Sequence, residues 1–236
     1  MANASGPLYY LELPEQQTLV LYEWERDELA NHAKKLGFTF NTKPVMGYYD
    51  DYGKTWMVLL WELDHDRCPF LTQDSTCCVY EQRPMVCRVF PLYSDFFDPI
   101  CSSKELIPGS EYPHPIAKGC PAIPETDVSG ITALGKTSCF EVLKMLHANY
   151  QSSFKSGVQD AAIRNYFFQS VYKRCESKII IHLHRGGKPK EGATEPILSY
   201  LTKLGLWEES ETLGLIEAAK QDAEKWIEGF KKWGTA

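Results

Sequence analysis

The chain has 236 residues and carries a formal net charge of −6, with 44% apolar and 24% charged residues. That length can bury a substantial core, and the balance excludes a mainly disordered chain. The acidic net charge argues against a general nucleic-acid binder, which would be basic.

The N-terminus, Met1 to Tyr10, has no basic stretch followed by a long apolar one, so no secretory signal is read there and a cytoplasmic location is expected. The longest apolar run, Trp56-Met57-Val58-Leu59-Leu60-Trp61, is far too short to span a bilayer. In chain order, Tyr9–Leu13 and Thr18–Tyr22 are expected as strands around Pro14-Glu15-Gln16-Gln17. Trp24–Leu36 reads as a helix stopped by Gly37. Val45–Tyr49 and Thr55–Leu63 flank Asp50-Asp51-Tyr52-Gly53, the signature of a hairpin.

Beyond Pro121 and Pro124 the character changes. Residues 1–125 hold 10 Lys+Arg against 18 Asp+Glu, and residues 126–236 hold 15 against 13. A boundary is therefore placed at 125, between a cysteine-cluster region (1–125) and a helical region (126–236) packed on it. Ile131, Leu134, Phe140, Leu143, Leu146 and Tyr150 predict one helix, and Ile163, Phe167 and Val171 another. Ile216, Ala219, Ala223, Trp226, Ile227 and Phe230 form an amphipathic stripe whose simplest use is core packing. The expected class is α+β, a small strand-containing region followed by a mainly helical one.

Eight cysteines stand at 68, 77, 78, 87, 101, 120, 139 and 175, four of them within twenty residues. A disulfide framework suits small secreted chains, whereas clustered thiols in a reducing compartment point to metal or redox chemistry, or to buried thiols. Structural zinc sites usually carry a C-x2-C knuckle, and none exists here; the gaps are eight and nine residues. An iron–sulfur cluster is larger and draws thiolates from separated segments. Arg83-Pro84 is expected to open a short helix that sets Cys87 in its first turn, where a thiolate is favoured. On that helix Arg83 and Cys87 would share a face, and Arg83 and Arg88 would offset the charge of a thiolate-bound cluster.

Cys68-Pro69-Phe70-Leu71, then Cys77-Cys78-Val79-Tyr80-Glu81-Gln82-Arg83-Pro84, then Cys87-Arg88-Val89-Phe90-Pro91, resembles the YkgJ-type cysteine-cluster family. That family is described as zinc- or iron-chelating and includes flagellin lysine N-methylases. The close likeness covers about residues 67–91, with a looser one reaching back through Trp24–Gly37 and Trp56–Leu63 and on to Gly119-Cys120-Pro121. The resemblance implies that Cys68, Cys77 and Cys87 are ligands of one metal centre. The fourth place falls to Cys120 first, then Cys101, then Cys78. The spacing and the flanking arginines point to a [4Fe-4S] cluster, and the resemblance further implies methyl transfer or redox work on a protein substrate, with S-adenosylmethionine as a candidate cosubstrate. The alternative is a non-catalytic zinc-stapled interaction module. This chain departs from many members in having no cysteine in residues 1–67. Cys78 stands where cysteine is often absent, and Cys139 and Cys175 read as packed thiols.

Gly130-Ile131-Thr132-Ala133-Leu134-Gly135-Lys136-Thr137 satisfies the phosphate-loop pattern letter for letter. It is read as a decoy, because the stretch before it is proline-broken where a buried strand is required. Lys173–Lys190 is basic and contains His182 and His184, which would share one side of a strand, but a solvated face is the simpler reading.

Overall fold

A computed structural model describes residues 8–12, 20–65, 67–74, 76–92, 97, 124–135, 139–176, 181–182 and 191–233. The architecture is α+β, with the sheet contributed mostly by the N-terminal part and helices dominating after residue 124. Backbone contacts resolve two units, each built from two stretches of chain: Met1–Pro84 with Ser170–Glu211, and Met85–Gln169 with Thr212–Ala236. Among the described residues no helix is long and apolar enough to cross a membrane.

The first unit is organised on a hairpin. Strand β3 (Thr42–Asp50) pairs antiparallel with β4 (Thr55–Leu63). The turn between them is held by the Asp50 carboxylate, which accepts the Tyr52 N–H at 3.0 Å, a local bond typical of aspartate in turns. Pro44 cannot donate to a ladder, and the register slips on either side of Met46. Close by, a Cβ on Gly47 would stand 2.3 Å from the Met57 carbonyl oxygen, so only glycine fits that approach. Strand β1 (Leu8–Glu12) pairs antiparallel with β3, and β2 (Val20–Tyr22) with the far end of β4. Two short strands complete the sheet in parallel pairing: β5 (Ile181–His182) beside β1, and β6 (Ala193–Pro196) beside β4. Every residue of β4 except Trp56 is buried, which explains its unbroken apolar run.

Helix α1 (Glu23–Leu36) ends as its sequence demands. Gly37 adopts φ 77°, its N–H bonds to the Lys34 carbonyl at 3.3 Å, and Phe38 N–H reaches Ala33 at 3.2 Å, a left-handed cap. Leu29 and Ala33 of α1 pack with Leu21, Val58, Trp61, Phe70 and Val79 into a buried cluster. Helix α6 (Ile197–Lys203) follows β6 directly and buries Ile197, Leu198 and Leu201. Its first turn is anchored by Glu23, whose buried carboxylate accepts the Leu198 N–H. Arg174, near the end of α5 (Gln151–Glu176), stacks on Trp207 at 4.5 Å and pairs with Glu211.

The second unit is helical: α2 (Met85–Val89), α3 (Glu125–Gly135), α4 (Cys139–Asn149), α5 as far as Gln169, and α7 (Glu209–Trp233) from Thr212. The single helix expected across 131–150 is therefore two, α3 and α4, with α5 beginning immediately after Tyr150. The apolar positions on both sides of the break keep a helical spacing, so periodicity alone does not reveal it. Asp127 of α3 binds the far end of α4, accepting the Tyr150 hydroxyl at 2.8 Å and the Asn149 amide at 3.2 Å. The core is aromatic. Phe97 lies edge-on to Phe154, and Trp226 stacks on Phe230 with centroids 5.4 Å apart. The stripe on α7 is core, as its spacing implies: Ala219, Ala223, Ile227 and Phe230 are all buried.

Candidate metal centre

Cys68-Pro69-Phe70-Leu71 forms a tight turn closed by Leu71 N–H on the Cys68 carbonyl at 3.2 Å. The chain then doubles back. Leu71 bridges Cys77 in antiparallel fashion, Thr72 N–H bonds to Thr76 at 2.9 Å, and Cys78 N–H bonds to the Phe70 carbonyl at 2.9 Å. This small loop carries three thiols, and it is fastened by two buried residues, Phe70 and Val79, sunk into the cluster formed with α1 and the sheet. Phe38 and Phe40 wall the same place, with ring centroids 5.2 and 5.7 Å from Phe70.

Cys68 and Cys77 are half-buried and pack against that apolar wall, while Cys78 is exposed. Burial pushes the Cys68 thiol above its ordinary pKa, and the nearby Cys77 and Cys78 charges push the same way. The backbone N–H groups of Phe70 and Leu71 pull it the other way, and burial prevails. A sulfur half-buried against an apolar wall and set beside other thiols is a poor place for a bare thiolate. It suits one neutralised by a cation, and soft sulfur donors select zinc, copper(I) or iron–sulfur centres. The local chemistry therefore fits a thiolate-bound metal.

The other expected residues are distributed as follows. Cys87 is half-buried in the first turn of α2, as its spacing from Pro84 implies. Arg83 has an extended backbone (ψ 136°) and lies outside the helix, so the shared helical face expected for Arg83 and Cys87 is not formed. The following proline disfavours helical backbone at residue 83. The Arg83 guanidinium lies 3.7 Å over the Tyr80 ring, and its Nε donates to the Tyr80 carbonyl at 2.9 Å. Arg88 is exposed in the last turn of α2. Cys101 and Cys120 lie outside the described residues. Cys139 and Cys175 sit in α4 and α5. Among the described residues no three or more His, Cys, Asp or Glu side chains are gathered closely enough to hold one metal ion. Gly130 to Gly135 is the last part of α3, so there is no strand–loop geometry before Lys136.

Sequence reasoning missed the burial of the Trp61 indole in the same cluster, its Nε1–H having no acceptor among the described residues.

The fold and the loop thus define an α+β protein in which three thiols stand on one small doubled-back loop. Residues 14–105 match the CxxCxxCC family model, described as "Putative zinc- or iron-chelating domain"; Cys68, Cys77, Cys78, Cys87 and Cys101 fall inside the matched segment and Cys120 falls beyond it. The match spans less than half of the chain. No curated protein and no solved structure gives a significant match.

Proposed function

We propose that the protein binds one [4Fe-4S] cluster within residues 1–125, through Cys68, Cys77, Cys87 and Cys120. The observation that carries the metal reading is the doubled-back loop, which bears three thiols and sets Cys68 and Cys77 half-buried against an aromatic wall. The preference for a cluster over zinc rests on the ligand spacing, which lacks any C-x2-C pair. When bound, such a cluster supplies redox or Lewis-acid chemistry. The chain's own part is to hold the sulfurs on the doubled-back loop and shield them with Phe38, Phe40 and Phe70. Arg83, between the second and third thiolates, and Arg88, directly after the third, add positive charge to this stretch.

The test is anaerobic purification with metal and acid-labile sulfide analysis. A brown protein with a broad visible charge-transfer band and about four irons and four sulfides per chain is expected. A colourless protein with one tightly held zinc and no sulfide turns the reading to a zinc-stapled interaction module, in which the metal serves folding. Methyl transfer or redox work on a protein substrate, with S-adenosylmethionine as cosubstrate, extends the proposal on the family resemblance alone. Loss of S-adenosylmethionine with appearance of methyl-lysine on an added protein substrate checks it.

A further inference from the structure

Cys78 is not needed by the proposed ligand set, yet it is the exposed member of the three thiols on the Cys68–Val79 loop. Its backbone is pinned to Phe70 at 2.9 Å, and the Leu71–Cys77 bridge folds the two arms of the loop together. We propose that Cys78 is the sensing thiol of a peroxide switch, forming a Cys68–Cys78 disulfide that takes Cys68 away from the metal. This inference rests on the metal reading above, and it concerns the regulation of that site.

The chemistry balances with a hydroperoxide as oxidant. The Cys78 sulfur attacks the peroxide O–O bond, giving a sulfenic acid and releasing the alcohol, or water from hydrogen peroxide. The Cys68 sulfur then attacks the Cys78 sulfur, the S–S bond forms, and hydroxide leaves and is protonated to water. Two electrons pass from the two sulfurs to the peroxide. Exposure selects Cys78 for the first step, because oxidant must reach the sulfur. Packing against the apolar cluster shields Cys68 from reacting first, and its place on the same loop fits it for the second step. A Cys77–Cys78 bond is the rival product, but adjacent residues close a strained ring far from preferred disulfide geometry.

The test uses the metal-loaded protein, treated with hydrogen peroxide and digested without reductant. Cleavage at Asp74 separates Cys68 from Cys77 and Cys78, and tandem fragmentation between the adjacent Cys77 and Cys78 identifies the partner. The expected result is a Cys68–Cys78 link formed in step with metal release. Cys78→Ser should hold metal as the parent does before treatment and lose it at least about tenfold more slowly under peroxide. Metal release from Cys78→Ser at the parent rate, a Cys68–Cys77 link, or a Cys78→Ser protein that holds no metal would each overturn the switch. A parent protein that holds no metal at all sinks the metal reading instead, while the mapped disulfide still judges the pairing.

Discussion

Glu23 and Ser199, 176 positions apart, meet inside the first unit: the buried Glu23 carboxylate accepts the Ser199 hydroxyl at 2.8 Å and the neighbouring Leu198 N–H at 2.9 Å. Burial holds the Glu23 pKa above its ordinary 4.5, against the pull of these bonds. A carboxyl that binds its proton more tightly when folded stabilises most below pH 4.5 and loses that contribution as pH rises through its folded value. In urea titrations across pH, the stability gap between the parent and Glu23→Gln should therefore shrink as pH rises above 4.5. Glu23→Ala, which leaves the Leu198 N–H without its acceptor, should cost about 1–3 kcal/mol. A gap that is flat or widens with pH would contradict this.

His147 gives the opposite signature in the second unit. Its Nε2 is buried without a partner among the described residues, and its ring lies 5.2 Å from Phe154 and 5.8 Å from Phe230. Burial and the charge of Lys231 hold its pKa below 6.5. The unfolded chain therefore takes up the proton first, and stability falls as pH drops below 6.5, by at most about 1.4 kcal/mol per pH unit. His147→Leu should lack this slope between pH 7.5 and about 5, which parallel denaturant curves will show.

Metal content should sort the cysteines. Serine at Cys68, Cys77 or Cys87 should strip or strongly weaken the centre, because each substitution removes a thiolate and crowds the rest. Serine at Cys139 or Cys175 should leave the stoichiometry unchanged. For the fourth place, loss is expected in Cys120→Ser. Full occupancy there with loss in Cys101→Ser would move the ligand inside the 14–105 segment.

Lys136→Ala should change neither folding nor metal content, and the parent should show no magnesium-dependent ATP or GTP affinity by calorimetry. Gly130–Gly135 runs as helix α3, and its amides are committed to helix bonds rather than turned toward a phosphate.

Much of the first unit was legible because its signals are local. The 45–63 hairpin announces itself by a polar turn between apolar runs, and Gly37 by the left-handed cap that a glycine permits at a helix end. Ala193-Thr194-Glu195-Pro196 carries no such signal: four residues with a proline become a strand only because β4 offers an open edge. The Leu71–Cys77 bridge was equally silent, since the long spacing between cysteines gave no hint that the chain doubles back there. At the candidate centre the residue types were readable, but the path of the loop that carries them was not, because backbone direction is set by the turn and not by the side chains that name it.

The late arrival of β6 and α6 has a consequence for synthesis on the ribosome. The N-terminal sheet lies beside Ala193–Pro196, and Glu23 holds the first turn of α6, so neither is complete until about the first two hundred residues have emerged. A fragment ending near residue 105 would carry the cysteine loop on a sheet that lacks its parallel partner and leaves a buried glutamate uncovered. Such a fragment should be prone to pair its open strand edge with another chain, and its aggregation during translation would report on how long the nascent sheet waits.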